Sequence, residues 1–414
     1  MQRTLPIALS LLLAGCGDSA TSTDAGADSP APSDASVDAR DAADVVDAAL
    51  DASDSTAAPD AVSDVSAPFD ALADVTADAP ADVTADAPPG APLEAPARTW
   101  TWIPIEGAVC DDGSPTGVGV NLAPDAPGVM VFLSGGGACW DYATCVTLNT
   151  SAHGPFAAPQ FAAASAVFTS SIFDRALTGN PFAAWSFVYV PYCTGDLHAG
   201  DRVANYSSGA ATRMVHHKGR ANLQALLPRL AATVSASARV ALVGASSGGF
   251  GAALNHDLFR AALGPRRFYV VDDSGPLLQG DAIASSLRAQ WFTAWNLSWL
   301  DAPCPACRGD LSRVYATLAA RHPDDRTALI MSRQDSVMRA LLGLDAASYD
   351  ADVVALASSF NGLAARRAFV RNGNAHTILG RPADPATAAA DGAAFLPWLT
   401  QMVTDDAAWT AHGP

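Results

Sequence analysis

The stretch Arg239-Val-Ala-Leu-Val-Gly-Ala-Ser-Ser-Gly-Gly-Phe-Gly251 decides how this chain folds. Val240 to Val243 form a short apolar run of the kind that makes a buried strand, and residues beyond Gly249 continue as a helical run to about Leu263. Between them, Gly244-Ala245-Ser246-Ser247-Gly248 matches the pattern G-x-S-x-G. A serine in such a turn sits on a strained strand-to-helix bend. Small residues two before and two after it let the backbone fold tightly and expose the hydroxyl. The helix that follows aims its free amides and positive dipole end at the turn, where a developing oxyanion would be stabilised. The pattern alone is weak in a chain this rich in Gly and Ser, and its flanking strand and helix give it weight. Ser246, with Gly at both flanking positions, reads as the nucleophile. Ser247 is better placed to lend its backbone N–H.

Working outward, further apolar runs read as strands at 128–133, 186–190, 267–271, 327–331 and 367–370, and 217–234 reads as a helix with Leu223, Leu226, Leu227 and Leu230 on one side. His216-His217-Lys218 reads as the start of that surface helix, and 386–403 as a closing helix. Strands alternating with helices imply a mostly parallel central sheet flanked by helices, the α/β-hydrolase arrangement. A Trp- and Cys-containing stretch at about 276–325 without a strand pattern reads as a lid-like insertion.

A serine nucleophile needs a base and an acid, which in this arrangement follow it in the order acid, then His. His376 lies in the turn-rich loop Arg371-Asn-Gly-Asn-Ala-His376 after the sixth strand, where the base belongs. His256 is on the helix of Ser246 and points away, His322 comes too early, and His412 is near a frayed end. Asp335 follows the fifth strand and opens a helix, so it is the favoured acid. Asp272 and Asp273, at the end of the fourth strand, are rivals, although Ser274-Gly-Pro beside them suggests a carboxylate-capped turn. The loop Gly135-Gly136-Gly137, after the first of these strands, can offer sterically free N–H groups to an oxyanion.

The 414-residue chain divides by composition. Residues 1–15 read as a signal peptide, with Arg3 ahead of an apolar run too short to span a bilayer. Leu13-Ala14-Gly15-Cys16 resembles a bacterial lipobox, in which Cys16 would be lipidated. Residues 16–97 read as an acidic tether. From residue 17 to 97 there are 17 Asp, one Glu and only Arg40 in opposition, a net charge of −17 in a total of −18. Such a segment cannot bury enough apolar surface to fold, and its octet Ala-Asp-Val-Thr-Ala-Asp-Ala-Pro, repeated at 73–80 and 81–88, is low complexity rather than a solenoid. Residues 98–414 remain as one catalytic domain near neutrality. Apart from Cys16 there are six cysteines, an even number in an exported chain, which suggests three disulfides. Cys139–Cys145 and Cys304–Cys307 would close short loops, leaving Cys110–Cys193. The rival for Cys304-Pro-Ala-Cys307 is a zinc site, but no second Cys or His pair stands at ligand spacing.

Six stretches together resemble the pectin acetylesterases and the related Notum-like carboxylesterases, over most of residues 105–380. They are Gly107 to Pro115, Leu133 to Trp140 with Cys145, Val190 to Asp196, Gly244 to Gly249, Asp273-Ser-Gly275 and Ala375-His376. The resemblance implies an α/β-hydrolase fold with no metal or cofactor and a triad of Ser246, Asp335 and His376. It puts the oxyanion donors on Gly136, Gly137 and Ser247. Ser134 and Gly137 stand where relatives often carry Glu and an aromatic, and Ser247 where Ala is common. These departures bear on the acyl pocket and not on the backbone donors.

The expected activity is serine carboxylic-ester hydrolysis, with an O-acetylated polysaccharide or similar acyl ester as substrate. Polyester depolymerisation or lipase-like deacylation would use the same triad, and a non-catalytic surface binding protein is the reading from another class. Trp140, Tyr192, Asp196 and His198, in loops at strand ends, are candidate substrate contacts, with packing over the disulfides as the alternative for Trp140 and Tyr192. A monomer is expected, exported to the cell surface or periplasm and held to a bacterial membrane only through its lipid, with no nucleic-acid partner.

Overall fold

In a computed structural model, residues 90–385 and 388–413 are described. The signal peptide, Cys16 and nearly all of the tether lie outside them. Eight strands form the main sheet: β1 (Thr101–Val109), β2 (Pro115–Asn121), β3 (Gly128–Leu133), β4 (Ser186–Val190), β7 (Arg239–Ala245), β8 (Arg267–Asp273), β9 (Arg326–Ser332) and β10 (Arg366–Arg371). Their order is β1-β2-β4-β3-β7-β8-β9-β10. From β4 to β10 every pairing is parallel, while β2 pairs antiparallel with both β1 and β4. The main sheet is therefore mostly parallel and the fold is of α/β-hydrolase type. The six apolar runs read from the sequence are β3, β4 and β7 to β10.

Alternation along the central strands separates two cores. Met130 and Phe132 of β3, Ala241 and Val243 of β7, Tyr269 and Val271 of β8 face an aromatic cluster that includes Phe161 of α1 (Ala158–Ser165) and Phe395 and Trp398 of α8 (Phe395–Val403). Val129, Val131, Leu133, Val240, Leu242, Phe268 and Val270 face α2 (Gly219–Thr233) and α3 (Ser247–Leu263), where Leu223, Leu226, Leu227 and Leu230 form the expected apolar stripe. Each strand is thus buried on both faces, as a parallel sheet covered by helices requires.

The 276–325 stretch folds as α4 (Ser285–Ala294), three short 3₁₀ turns and α5 (Arg313–Arg321), built around Trp291 and Trp295. It lies against the loop after β3, since Trp295 Nε1 donates to the Cys139 carbonyl at 2.9 Å. Beyond β9 come α6 (Ser336–Leu342) and α7 (Ala346–Asn361).

Several expectations are corrected. The antiparallel pair β1–β2 has no clear sequence pattern because Pro104 and the glycines of β2 interrupt it. A side chain at Gly117 would stand 2.2 Å from the Ile103 carbonyl, and one at Gly119 2.0 Å from the Phe161 ring. His216 and His217 end a strand instead of starting a helix: β5 (Arg202–Ser208) and β6 (Ala211–His217) make a separate hairpin, and α2 begins at Gly219. The closing helix covers only Phe395–Val403, after a small hairpin of β11 (Ala389–Ala390) and β12 (Ala393–Ala394). His412 is not frayed, since its amide donates to Ala368 and its carbonyl accepts from Val370. Among the described residues, no helix is long and apolar enough to cross a membrane.

Candidate active site

β7 ends at Ala245 and α3 begins at Ser247, so Ser246 is the whole connection. It adopts φ 55°, ψ −123°, a left-handed conformation that costs a non-glycine residue about 1–3 kcal/mol. The surroundings hold it there. The Ser246 amide donates to the Asp273 carbonyl at 2.7 Å, and its own carbonyl accepts from Gly249 at 2.8 Å. The two glycines of the motif have a measurable reason. A Cβ at Gly244 would lie 1.9 Å from the Gly248 carbonyl oxygen, and one at Gly248 1.9 Å from the Leu133 carbonyl oxygen.

His376 Nδ1 and Asp335 Oδ2 are 2.7 Å apart and both side chains are buried. The other Asp335 oxygen accepts from the amides of Val337 and Met338, each at 3.0 Å, and so caps α6. An imidazole that gives its Nδ1–H to a carboxylate keeps its basic lone pair on Nε2. The carbonyls on either side of the base are pinned. Arg371 Nη2 donates to Ala375 at 2.9 Å and to Thr377 at 2.7 Å, and Ser332 Oγ donates to Ala375 at 2.5 Å. The rival carboxylates are engaged elsewhere. Asp272 accepts from Gly275 N and the Tyr315 hydroxyl, both at 2.9 Å, which is the capped turn anticipated from Ser274-Gly-Pro. Asp273 accepts from the amides of Ile378 and Leu379.

The glycine loop runs beside the nucleophile, and a Cβ on Gly135 would be 2.8 Å from that of Ser246. Gly136 and Gly137 have φ of 152° and 70°, and a Cβ at Gly137 would stand 2.1 Å from the Thr150 carbonyl oxygen. The loop pairs with a following segment, Ala138 N to Thr150 O at 3.0 Å and Ala152 N to Gly136 O at 2.7 Å. Ser247 Oγ donates to the Gly137 carbonyl at 2.6 Å. Among the described residues no acceptor engages the amides of Gly136, Gly137 or Ser247, so three donors stand available at this end of the sheet.

Three candidate substrate contacts are corrected. Tyr192, Asp196 and His198 are 0%, 0% and 2% exposed; Tyr192 and His198 touch the glycine loop, and Asp196 holds the start of α2. The Tyr192 ring underlies Gly136, and its hydroxyl accepts from Leu197 N at 2.8 Å. His198 Nε2 donates to the Ser134 carbonyl at 2.9 Å, and burial lowers this imidazole to about 4, so it is neutral. Asp196 accepts from Thr194 Oγ1 and Gly219 N, both at 2.7 Å, and burial pushes it up to about 6. Trp140 differs from these three. It is half-buried and borders a surface concavity of about 370 Å³ with Arg202, Tyr206, Gln290 and Thr293.

Disulfides join Cys110 to Cys193, Cys139 to Cys145 and Cys304 to Cys307. The Cys304–Cys307 bond removes the zinc reading, because neither sulfur remains a thiolate. The same holds where Cys139, Cys145 and the His217 ring converge. Sequence reasoning missed Arg371, whose only trace was a basic residue ending an apolar strand. It also missed Asp111, a buried carboxylate that binds His153 Nδ1 at 2.6 Å, Gly154 N at 2.7 Å and Arg213 at 2.9 Å. Burial raises the Asp111 carboxyl, but those partners outweigh it and leave it below its ordinary value.

The chain can be set beside known proteins on this basis. Pectin acetylesterase 11 of Arabidopsis thaliana is 28% identical over 200 residues, 46% of this chain and 48% of that protein. The chain thus spans about half the length of the curated relative it matches. A crystal structure of the Wnt deacylase Notum from Drosophila superposes with a TM-score of 0.55 at 19% identity, covering 76% of this chain and 97% of that one. That likeness speaks to the fold alone. The pectinacetylesterase family model matches residues 101–308, from β1 through the glycine loop and the Ser246 turn to the third disulfide. This match covers half of the sequence, and the chain belongs to the pectinacetylesterase family.

Proposed function

We propose that this chain is a serine carboxylic-ester hydrolase that deacetylates an O-acetylated polysaccharide or a similar acyl ester. The buried Asp335–His376 pair carries the reading, because its loop and the Ser246 turn are both tied to Asp273. In this mechanism His376 Nε2 takes the Ser246 proton as Oγ attacks the ester carbonyl. The amides of Gly136, Gly137 and Ser247 hold the oxyanion. Asp335 fixes the imidazole tautomer and stabilises the imidazolium. Collapse of the tetrahedral intermediate expels the alcohol with the proton from His376. Water, activated by the same base, then releases the acid and restores Ser246.

Acetyl as the acyl group is supported by the family and by the name of the Arabidopsis relative. A longer chain, as in lipase-like or polyester hydrolysis, is favoured by Val337, apolar and 39% exposed two residues beyond Asp335. Rates on acetyl, butyryl and octanoyl esters separate the two, since a small pocket rejects the longer chains. Ser246→Ala is expected to abolish hydrolysis of p-nitrophenyl acetate and labelling by a fluorophosphonate. Retained hydrolysis would sink the assignment, and a parent that is not labelled would favour the binding-protein reading. The three disulfides support an oxidising compartment, in keeping with export and lipidation at Cys16. Labelling of the cells with a radioactive fatty acid, compared between parent and Cys16→Ala, tests that part.

A further inference from the structure

Asp273 touches both halves of the proposed catalytic pair, each with a different part of itself. Its carbonyl accepts the Ser246 amide at 2.7 Å. Its carboxylate Oδ2 accepts the amides of Ile378 at 2.7 Å and Leu379 at 2.9 Å, the second and third residues after His376. Ser274, next along the chain, extends the grip: its Oγ accepts the Thr377 amide at 3.0 Å and donates to Asp273 Oδ1 at 3.1 Å. Three successive amides therefore converge on one carboxylate and one hydroxyl. The turn that makes this possible is strained on both sides, with Ser274 at φ 63° and Thr377 at φ 54°. Successive amides in such a turn form a concavity that binds an anion, and here the anion is a side chain of the same protein. Asp273 is 0% exposed.

We propose that Asp273 is a positioning residue, which sets the register between Ser246 and His376 by gripping the nucleophile turn with its main chain and the base loop with its side chain. This rests on the serine-hydrolase reading. Asp335 orients the imidazole about its own bonds but reaches no part of the Ser246 backbone, so it cannot set the spacing between the two loops. Asp273 can, because a shift of either loop breaks a bond to the same residue. The charged groups around the base are Asp335 after β9, Asp273 on β8 and Arg371 on β10. A grip and a charge effect must therefore be told apart.

Asp273→Asn and Asp273→Ala do so. Asparagine can place its carbonyl oxygen where Oδ2 stands and keep both amide bonds while losing the charge, whereas alanine loses the bonds as well. Displacement of a catalytic group by about 1 Å can cost about a hundredfold in rate. For Asp273→Ala we expect kcat on p-nitrophenyl acetate to fall about a hundredfold with KM changed by no more than about twofold. Fluorophosphonate labelling should slow by the same factor. Asp273→Asn should stay within about fivefold of the parent. An alanine variant with parental kcat overturns the proposal, and so does an asparagine variant that falls as far as alanine, which would make the role one of charge. If Asp273→Ala does not fold, Ser274→Ala removes the acceptor of the Thr377 amide and the hydroxyl bond to Asp273 Oδ1 while leaving the Ile378 and Leu379 amides bound. It should lower kcat about tenfold at constant KM, and unchanged kcat overturns the grip. Ser246→Ala in the same assay keeps the two ideas separate. Activity in that variant breaks the hydrolase reading itself, whereas an inactive Ser246→Ala beside a fully active Asp273→Ala breaks only the positioning role.

Discussion

The two halves of the site are held in different ways. The glycine loop side, built on β3 and β4, is tied by Cys110–Cys193 and Cys139–Cys145 and by buried imidazoles that burial keeps neutral, His198 and His217. The acid–base side, on β8 to β10, has only the local Cys304–Cys307 link in the insertion between β8 and β9 and is tied by Asp273, Asp335 and Arg371. In the proposed reaction one side presents fixed N–H dipoles to an oxyanion and needs rigidity more than charge. The other must accommodate a proton that comes and goes, so it needs charges of both signs nearby. Each half uses the fastening suited to what it would hold.

The acid–base half should break first under a change of chemistry without a change of shape. Asp335→Asn can keep an oxygen for the Val337 and Met338 amides, but turns an NH₂ toward His376 Nδ1 and forces the wrong tautomer. We expect kcat to fall on the order of 10⁴-fold with little change in the urea midpoint. A rate within tenfold of the parent would remove Asp335 from the mechanism. The glycine-loop half should break instead under loss of its cross-link. The Cys110–Cys193 bond spans 83 residues of sequence, and removing it as Cys110→Ala/Cys193→Ala should cost about 4–5 kcal/mol in denaturant unfolding. Cys304→Ala/Cys307→Ala, which opens a loop with a separation of 3, should cost only about 2 kcal/mol.

This contrast also explains what could be read in the sequence. β3, β4 and β7 to β10 are buried on both faces and therefore appear as unbroken apolar runs. β1 and β2 were illegible because close approach to Ile103 and Phe161 demands glycine where a strand pattern wants side chains. Ser246, Asp335 and His376 stood out through residue type, spacing and chain order. The roles of Asp273 and Arg371 did not, because they act on backbone groups brought near only by the turn after β10, and an amide carries no mark in the sequence. Tyr192, Asp196 and His198 misled for the opposite reason. Polar residues at strand ends suggest a cleft, but here they turn inward, His198 to the Ser134 carbonyl, Tyr192 to the Leu197 amide and Asp196 to the Gly219 amide.

Acid should discriminate the halves next. His198 and His217 are lowered to about 4 by burial, so between pH 6.5 and 4 the unfolded chain takes up protons that the fold refuses. Their contribution to stability is complete above pH 6.5 and is lost as pH falls through about 4. Asp196, raised to about 6 by burial, works the other way and gains stability as pH falls. The two histidines outweigh it, a net loss of about 4 kcal/mol from these three groups. In His217→Gln, which can still donate to the Thr194 carbonyl and accept from Tyr206, about 3 kcal/mol of that loss should vanish from urea midpoints measured across this range. An acid limb identical to the parent's would show that His217 titrates in the fold as it does in the unfolded chain.

The smallest effect expected is at Ser247, where the two halves meet. Its Oγ belongs to the helix that follows the nucleophile, yet it donates to the Gly137 carbonyl at 2.6 Å. The carbonyl of Gly137 and the amide of Ala138 form one peptide plane, and Ala138 N is already fixed on Thr150. Ser247→Ala therefore removes one of two restraints on that plane and leaves the other. Neither the disulfides nor the Thr150 pairing is touched, so the loop should loosen without collapsing. We expect kcat to fall about fivefold, stability to drop by about 1 kcal/mol, and KM to stay unchanged. The loss should also be larger for binding of an aryl boronic acid, whose tetrahedral adduct fills the oxyanion position, than for binding of the ester. Equal losses for both would mean that the Ser247 hydroxyl supports the fold of the loop but not the aim of its amides.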